Sequence, residues 1–60
     1  MKRAISCKVG TIPALIHLRY RYKPREGLRI EFCYYDQPGK WLPGIIDKVL
    51  PNGYLFIQLH

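Results

Sequence analysis

The chain alternates. In Ile16-His17-Leu18-Arg19-Tyr20-Arg21-Tyr22, apolar and basic residues exchange places at every step. A period of two is the signature of a strand with one face buried and one in water. Leu28-Arg29-Ile30-Glu31-Phe32-Cys33-Tyr34 repeats the alternation in residues that favour strands. From Tyr54 to His60, Leu55, Ile57 and Leu59 share one face while Tyr54, Phe56, Gln58 and His60 share the other. Arg3 to Val9 reads as a further strand. Trp41 to Leu50 is less regular, because Ile45, Ile46, Val49 and Leu50 also suit a helical turn. The Pro43-Gly44 pair and the tight turns on either side favour a strand, with Pro43 and Gly44 marking a bulge or bend near its start.

Turn signals separate these five segments. They are Gly10 to Pro13, Lys23 to Gly27, Gln37-Pro38-Gly39-Lys40 and Pro51-Asn52-Gly53. Pro38 followed by Gly39 has the order of a type II turn. Asn52-Gly53 is a hairpin signal, since both residues tolerate positive φ. Five short strands joined by four turns make a meander. In so short a chain the sheet buries a face by curling on itself or by pairing with a second copy. The expected fold is therefore all-β, a single domain over residues 1–60 built as a small five-stranded SH3-like barrel. Its core is marginal at this size.

Two stretches carry a family resemblance. Gly27-Leu28-Arg29-Ile30-Glu31 resembles the opening of the first strand in malignant-brain-tumour repeats. Trp41-Leu42-Pro43-Gly44-Ile45-Ile46-Asp47-Lys48-Val49-Leu50, followed by Asn52-Gly53-Tyr54-Leu55-Phe56-Ile57, resembles the second and third strands of Tudor and malignant-brain-tumour barrels. The resemblance spans residues 27–59 and implies an SH3-like barrel that binds methylated lysine or arginine, or nucleic acid. The chain departs from those families in the basic strand from His17 to Lys23, and in having no acidic residue to close a cage.

Charge adds a direction. Residues 1–29 hold eight of the ten Lys and Arg and one acid, a net +7, whereas residues 30–60 hold two cations and three acids, a net −1. Such an asymmetry bears on partners rather than on fold. On a strand, Arg19, Arg21 and Lys23 share a face at roughly 6–7 Å for each two residues, close to the phosphate spacing along one nucleic-acid strand. With Arg25 they would neutralise phosphates and release counterions, and Tyr22 would stack on an exposed base. Tyr20 is expected in the core with Ile16 and Leu18. A second candidate is aromatic: Tyr34, Tyr35 and Trp41 flank the Gln37–Lys40 turn, placed to stack on a base or to cage a methylated cation. The plainer alternative is that Trp41 plugs the barrel end with a tyrosine beside it.

Other chemistry is poorly represented. Cys7, His17, Cys33 and His60 lack the short spacing of a structural zinc site, and no cofactor or metal is expected. The two cysteines permit one disulfide, although reduced thiols are expected in a cytoplasmic protein. Ser6 and Thr11 are the only residues of their types, and the four carboxylates are scattered, so no enzyme is expected. No signal peptide or membrane span is evident. The start at Met1 reads as a complete bacterial or phage gene product. The leading expectation is a small accessory or regulatory protein binding DNA or RNA. The rival is a protein-interaction module, for instance a phage-type inhibitor or adaptor on an acidic host protein surface. Tyr54 and Phe56, apolar on the second face of the last strand, fit that rival or a homodimer.

Overall fold

The structure, a computed structural model, describes residues 4–19 and 23–60. Among the described residues there are five strands: β1 (Ala4–Val9), β2 (Ile12–Arg19), β3 (Arg29–Tyr34), β4 (Leu42–Val49) and β5 (Leu55–Leu59). Each pairs with the next in sequence, and β5 returns to β1 to close a barrel. The fold is thus the expected all-β meander, consistent with a small SH3-like barrel. Successive pairs are antiparallel. In a meander of odd strand number the first and last strands run the same way, so the closing seam is parallel, with Cys7 opposite Leu55, Lys8 opposite Phe56 and Val9 opposite Ile57. Two hydrogen bonds reinforce it. The Gly10 N–H donates to the Ile57 carbonyl at 2.8 Å, and the Tyr54 hydroxyl donates to the Cys7 carbonyl at 3.0 Å. Among the described residues no helix is long and apolar enough to cross a membrane.

The inward positions of all five strands meet in one core of Cys7, Val9, Ile16, Ile30, Phe32, Ile46, Leu55 and Ile57. Of these, Ile16, Ile30, Phe32, Leu55 and Ile57 are alternating positions that the sequence marks, and Phe32 is the largest fully buried side chain among the described residues. Tyr20, expected beside Ile16, lies outside the described residues. Leu59 shares the inward parity of Leu55 and Ile57 but is 61% exposed. Its partner across β4 is Gly44, which has no side chain to cover it, and the rungs with β1 end at Ile57.

Three local expectations are revised. First, β2 starts at Ile12, so the turn after β1 uses only Gly10 and Thr11. Gly10, with φ of 63°, takes the first central position of this two-residue loop, where a primed turn needs positive φ. Second, the loop before β5 is not built on an Asn-Gly pair with two positive φ angles. Gly53 has φ of 88°, and no residue other than glycine has positive φ among those described. Pro51 locks its own φ near −65° and starts the turn one residue earlier, so that the Gly53 N–H donates to the Leu50 carbonyl at 2.8 Å. The Asn52 Oδ1 accepts from the Tyr54 N–H at 3.0 Å. By contrast the Gln37–Lys40 turn is of the expected kind, with Gly39 at φ of 85° and the Lys40 N–H on the Gln37 carbonyl at 3.3 Å.

Third, the irregularity in β4 is not at Pro43-Gly44. It falls at Asp47, where the register with β5 shifts between Ile46 opposite Ile57 and Lys48 opposite Phe56. Both Asp47 and Lys48 are exposed, and Val49 then packs back against the core. An apolar-polar-polar-apolar sequence within a strand requires such an extra residue. It is also why Ile45 to Leu50 shares features with a helical turn. Gly44 has a different task. A Cβ there would stand 3.0 Å from Phe32 Cε1 and 3.1 Å from Ile57 Cγ2, so the missing side chain makes room for the Phe32 ring.

The two cysteines are free and buried. Cys7 is a core residue, whereas Cys33 follows Phe32 by one position and belongs to the outer side of the wall, where it sits opposite His17. Strand alternation therefore turns their side chains to opposite sides of the sheet, which is incompatible with a disulfide between them. Burial pushes the Cys7 thiol up from its ordinary 9.0 to about 11. The folded-state value lies above the unfolded one, so this contribution to stability is complete below pH 9 and is lost as the pH rises toward 11. Denaturant melts at stepped alkaline pH should show a steeper loss across this interval in wild type than in Cys7→Ala. Equal slopes would remove Cys7 as the source.

Candidate nucleic-acid interface

The basic segment lies where β2 leaves the barrel. Arg19 is the last residue of β2 and sits opposite Glu31 on β3. That rung brings the Arg19 Nη1 to 3.6 Å from the Glu31 Oε1, with both side chains about half exposed (50% and 56%). A pair this open to water contributes about 0–1 kcal/mol, so it positions Arg19 more than it stabilises the fold. The same guanidinium lies over Trp41, its Cζ 4.0 Å from the ring centroid. Trp41, half-buried just before β4, is thus covered on one face by Arg19. The carboxylate and the ring together hold a planar cation in place.

Arg21 and Tyr22 lie outside the described residues. Lys23 is exposed in the connection to β3 rather than on a strand, so it does not continue the β2 face that carries Arg19. The described rungs between β2 and β3 run from Ile16–Tyr34 to Arg19–Glu31. Arg25 is also exposed and opens a tight turn, in which the Leu28 N–H donates to the Arg25 carbonyl at 3.2 Å and Gly27 adopts φ of 83°. The Gly27 N–H donates to the Ile46 carbonyl at 2.8 Å, tying this turn to β4. Arg29 follows on β3, exposed on the same face as Glu31. The structure therefore gathers Arg19, Arg25 and Arg29 around the β2–β3 end of the barrel. Arg29 is not among the residues expected at the site, although its alternation with Ile30 places it outward.

The three candidate aromatics do not converge on one space. Tyr34 packs edge-on against Phe32 at 5.7 Å between centroids, Tyr35 lies 5.6 Å from the His17 ring, and Trp41 carries Arg19. The His17 Nδ1 is buried without a hydrogen-bond partner. Tyr35 instead belongs to a different feature. It borders an open groove of about 440 Å³ whose lining includes Ile12, Pro13, Leu15 and Tyr34. Ile12, Leu15 and Tyr35 are 67%, 42% and 57% exposed there. The groove follows from the pairing of β2. Its described rungs with β3 begin at Ile16, and the Tyr35 N–H reaches the Leu15 carbonyl at 2.9 Å, which leaves Ile12 to Ala14 paired with β1 alone. Pro13 suits that one-sided position, where a missing N–H breaks no ladder.

No protein-family model, curated protein or solved structure matches this chain.

Proposed function

We propose that this protein is a small, non-enzymatic accessory or regulatory protein that binds nucleic acid at the β2–β3 end of its barrel. The observation that carries the reading is the Arg19–Trp41 stack, set among exposed Arg25 and Arg29 in the half of the chain with net charge +7. Arginines and lysines on such a surface neutralise phosphates without reading bases. A guanidinium stacked on an indole adds a flat platform against which an exposed base packs. Arg21, Tyr22 and Lys23 belong to the same segment and are part of the proposed surface.

Labelled single- and double-stranded oligonucleotides, titrated at several salt concentrations, test this. Affinity is expected to fall steeply with salt. Arg19→Ala/Arg21→Ala is expected to weaken binding and to flatten the salt dependence by roughly 0.7–0.9 for each phosphate that is no longer neutralised. Trp41 is the only tryptophan, so its emission reports binding at this end of the barrel. Absence of binding at low salt would sink the reading.

A second reading, a protein-interaction module of the inhibitor or adaptor kind, is favoured by the groove beside Ile12, Leu15 and Tyr35. Three large apolar side chains exposed together on so small a domain suit a partner protein. A stoichiometric protein captured from lysate, with no oligonucleotide bound, would replace the first reading by this one.

A further inference from the structure

Away from the Arg19–Trp41 stack, the barrel carries another combination of cations and an aromatic ring. Phe56 on β5 lies opposite Lys8 across the parallel seam and opposite Lys48 across the antiparallel pair with β4. Strands are spaced about 4.8 Å apart, so the three residues form one row across the outer wall, the two lysine backbones about 10 Å apart with the ring between them. The Lys8 Nζ stands 5.5 Å from the Phe56 centroid. Tyr54 meets the ring edge-on, at 5.9 Å and 85°, and is itself anchored through its hydroxyl to the Cys7 carbonyl.

Lys48 reaches this row only because of the bulge. Strict alternation from the buried Gly44 and Ile46 would turn Lys48 into the core. The extra residue at Asp47 reverses it, and Lys48 is exposed. Asp47 is exposed as well, yet the one ion pair among the described residues joins Arg19 to Glu31. The ammonium groups of Lys8 and Lys48 are therefore not held by a carboxylate, unlike the Arg19 guanidinium.

We propose that the Lys8–Phe56–Lys48 row is a second contact for nucleic acid, in which one unpaired base replaces the Lys8 ammonium over the half-buried Phe56 ring while Lys8 and Lys48 turn to the flanking phosphates, making the ligand single-stranded. The inference rests on the nucleic-acid reading above and adds the strand type and a second face. A duplex hides the faces of its bases, so a ring on the protein surface finds a stacking partner only in an unpaired strand. The spacing of the row leaves room for one base between two phosphate contacts. A peptide of acidic residues alone would satisfy the lysines but offers no aromatic face to the ring.

The test uses a fluorescein-labelled oligothymidylate of about 12 nucleotides, within the span of small single-strand-binding barrels, with a duplex of equal length and polyglutamate as competitors. Wild type is expected to prefer the single strand. Phe56→Leu should weaken it about 5- to 100-fold with little change in salt slope, and Phe56→Tyr should restore it. Lys8→Gln/Lys48→Gln should make the slope of log affinity against log salt shallower by about 1.4, two single-strand phosphates' worth. Circular dichroism melts confirm that each variant is folded. Wild-type binding that these variants leave unchanged, while Arg19→Ala/Arg21→Ala weakens it, overturns the row and spares the function. Equal competition by duplex or by polyglutamate overturns the single-strand assignment. No oligonucleotide binding by wild type overturns the functional reading itself.

Discussion

Phe32→Ala is expected to leave the chain largely unfolded at room temperature. Phe32 is fully buried and, among the described residues, contributes the largest side chain to a core that includes eight of them. Truncating a buried phenylalanine costs about 3–5 kcal/mol, because the apolar transfer is lost and the surrounding wall cannot collapse onto the space. Globular domains hold roughly 0.05–0.15 kcal/mol per residue, or about 3–9 kcal/mol for 60 residues, and small domains without staples lie toward the lower end. The loss is thus comparable to the whole stability. The closed barrel sharpens the effect, since the Phe32 ring fills the space over Gly44 on the next strand, where Ile57 of β5 also approaches. Urea unfolding followed by circular dichroism gives the answer. A cooperative transition with a midpoint near that of wild type would show that the Phe32 ring is not the keystone of this core.

The opposite change at the same contact is expected to be the next most damaging. Gly44→Ala adds a methyl 3.0 Å from Phe32 Cε1, 3.1 Å from Ile57 Cγ2 and 3.2 Å from the Gln58 carbonyl oxygen. The two side chains can shift by a few tenths of an ångström. The carbonyl oxygen cannot move independently of the backbone that pairs β5 with β4. Overpacking of this kind costs about 1–3 kcal/mol. Against it stands the gain of about 0.4–1 kcal/mol from replacing a glycine at an ordinary φ. Crowding wins on these magnitudes, and the melting temperature should fall by several degrees, at about 4–8 °C per kcal/mol for a domain of this size. The two sites should also be coupled. In a Phe32→Leu background the added methyl finds space, so the penalty of Gly44→Ala should shrink by about 0.5 kcal/mol or more. A Gly44→Ala protein melting at or above wild type would disprove the crowding.

These two residues mark the boundary between what is legible in the chain and what is not. Alternation identified β2, β3 and β5 and put Ile16, Ile30, Phe32, Leu55 and Ile57 at inward positions, because a period of two is a local property of the chain. β1 and β4 read as strands with no inner face assigned, so Cys7, Val9 and Ile46 join the core only through the pairing, and Ile46 lies beside the bulge that breaks the period. The frame shift from Ile46 to Val49 is visible in the residues, but only the pairing with Phe56 shows it to be a bulge rather than a helical turn. Gly44 looked like a bend because proline precedes it. Its actual role depends on Phe32, twelve residues away, and no local rule connects the two.

The same division holds for the surface. The concentration of cations before Ile30 is a property of composition, and it directed attention to Arg19, Arg21, Lys23 and Arg25. That Arg19 is held between Glu31 and Trp41 depends on the β2–β3 register. That Lys8 and Lys48 flank Phe56 depends on closure of the barrel, which brings together residues from the beginning and the end of the chain.

Residues close together in the chain set the strands, the positions of the turns, the inner faces of β2, β3 and β5 and the uneven charge, since each follows from local conformational and solvation preferences. Which cations are paired, which ring each one meets, why position 44 must lack a side chain and where the wall is left open beside Ile12 emerge only in the folded barrel. Those outcomes depend on register and closure, and both are set by long-range packing of the whole barrel at once.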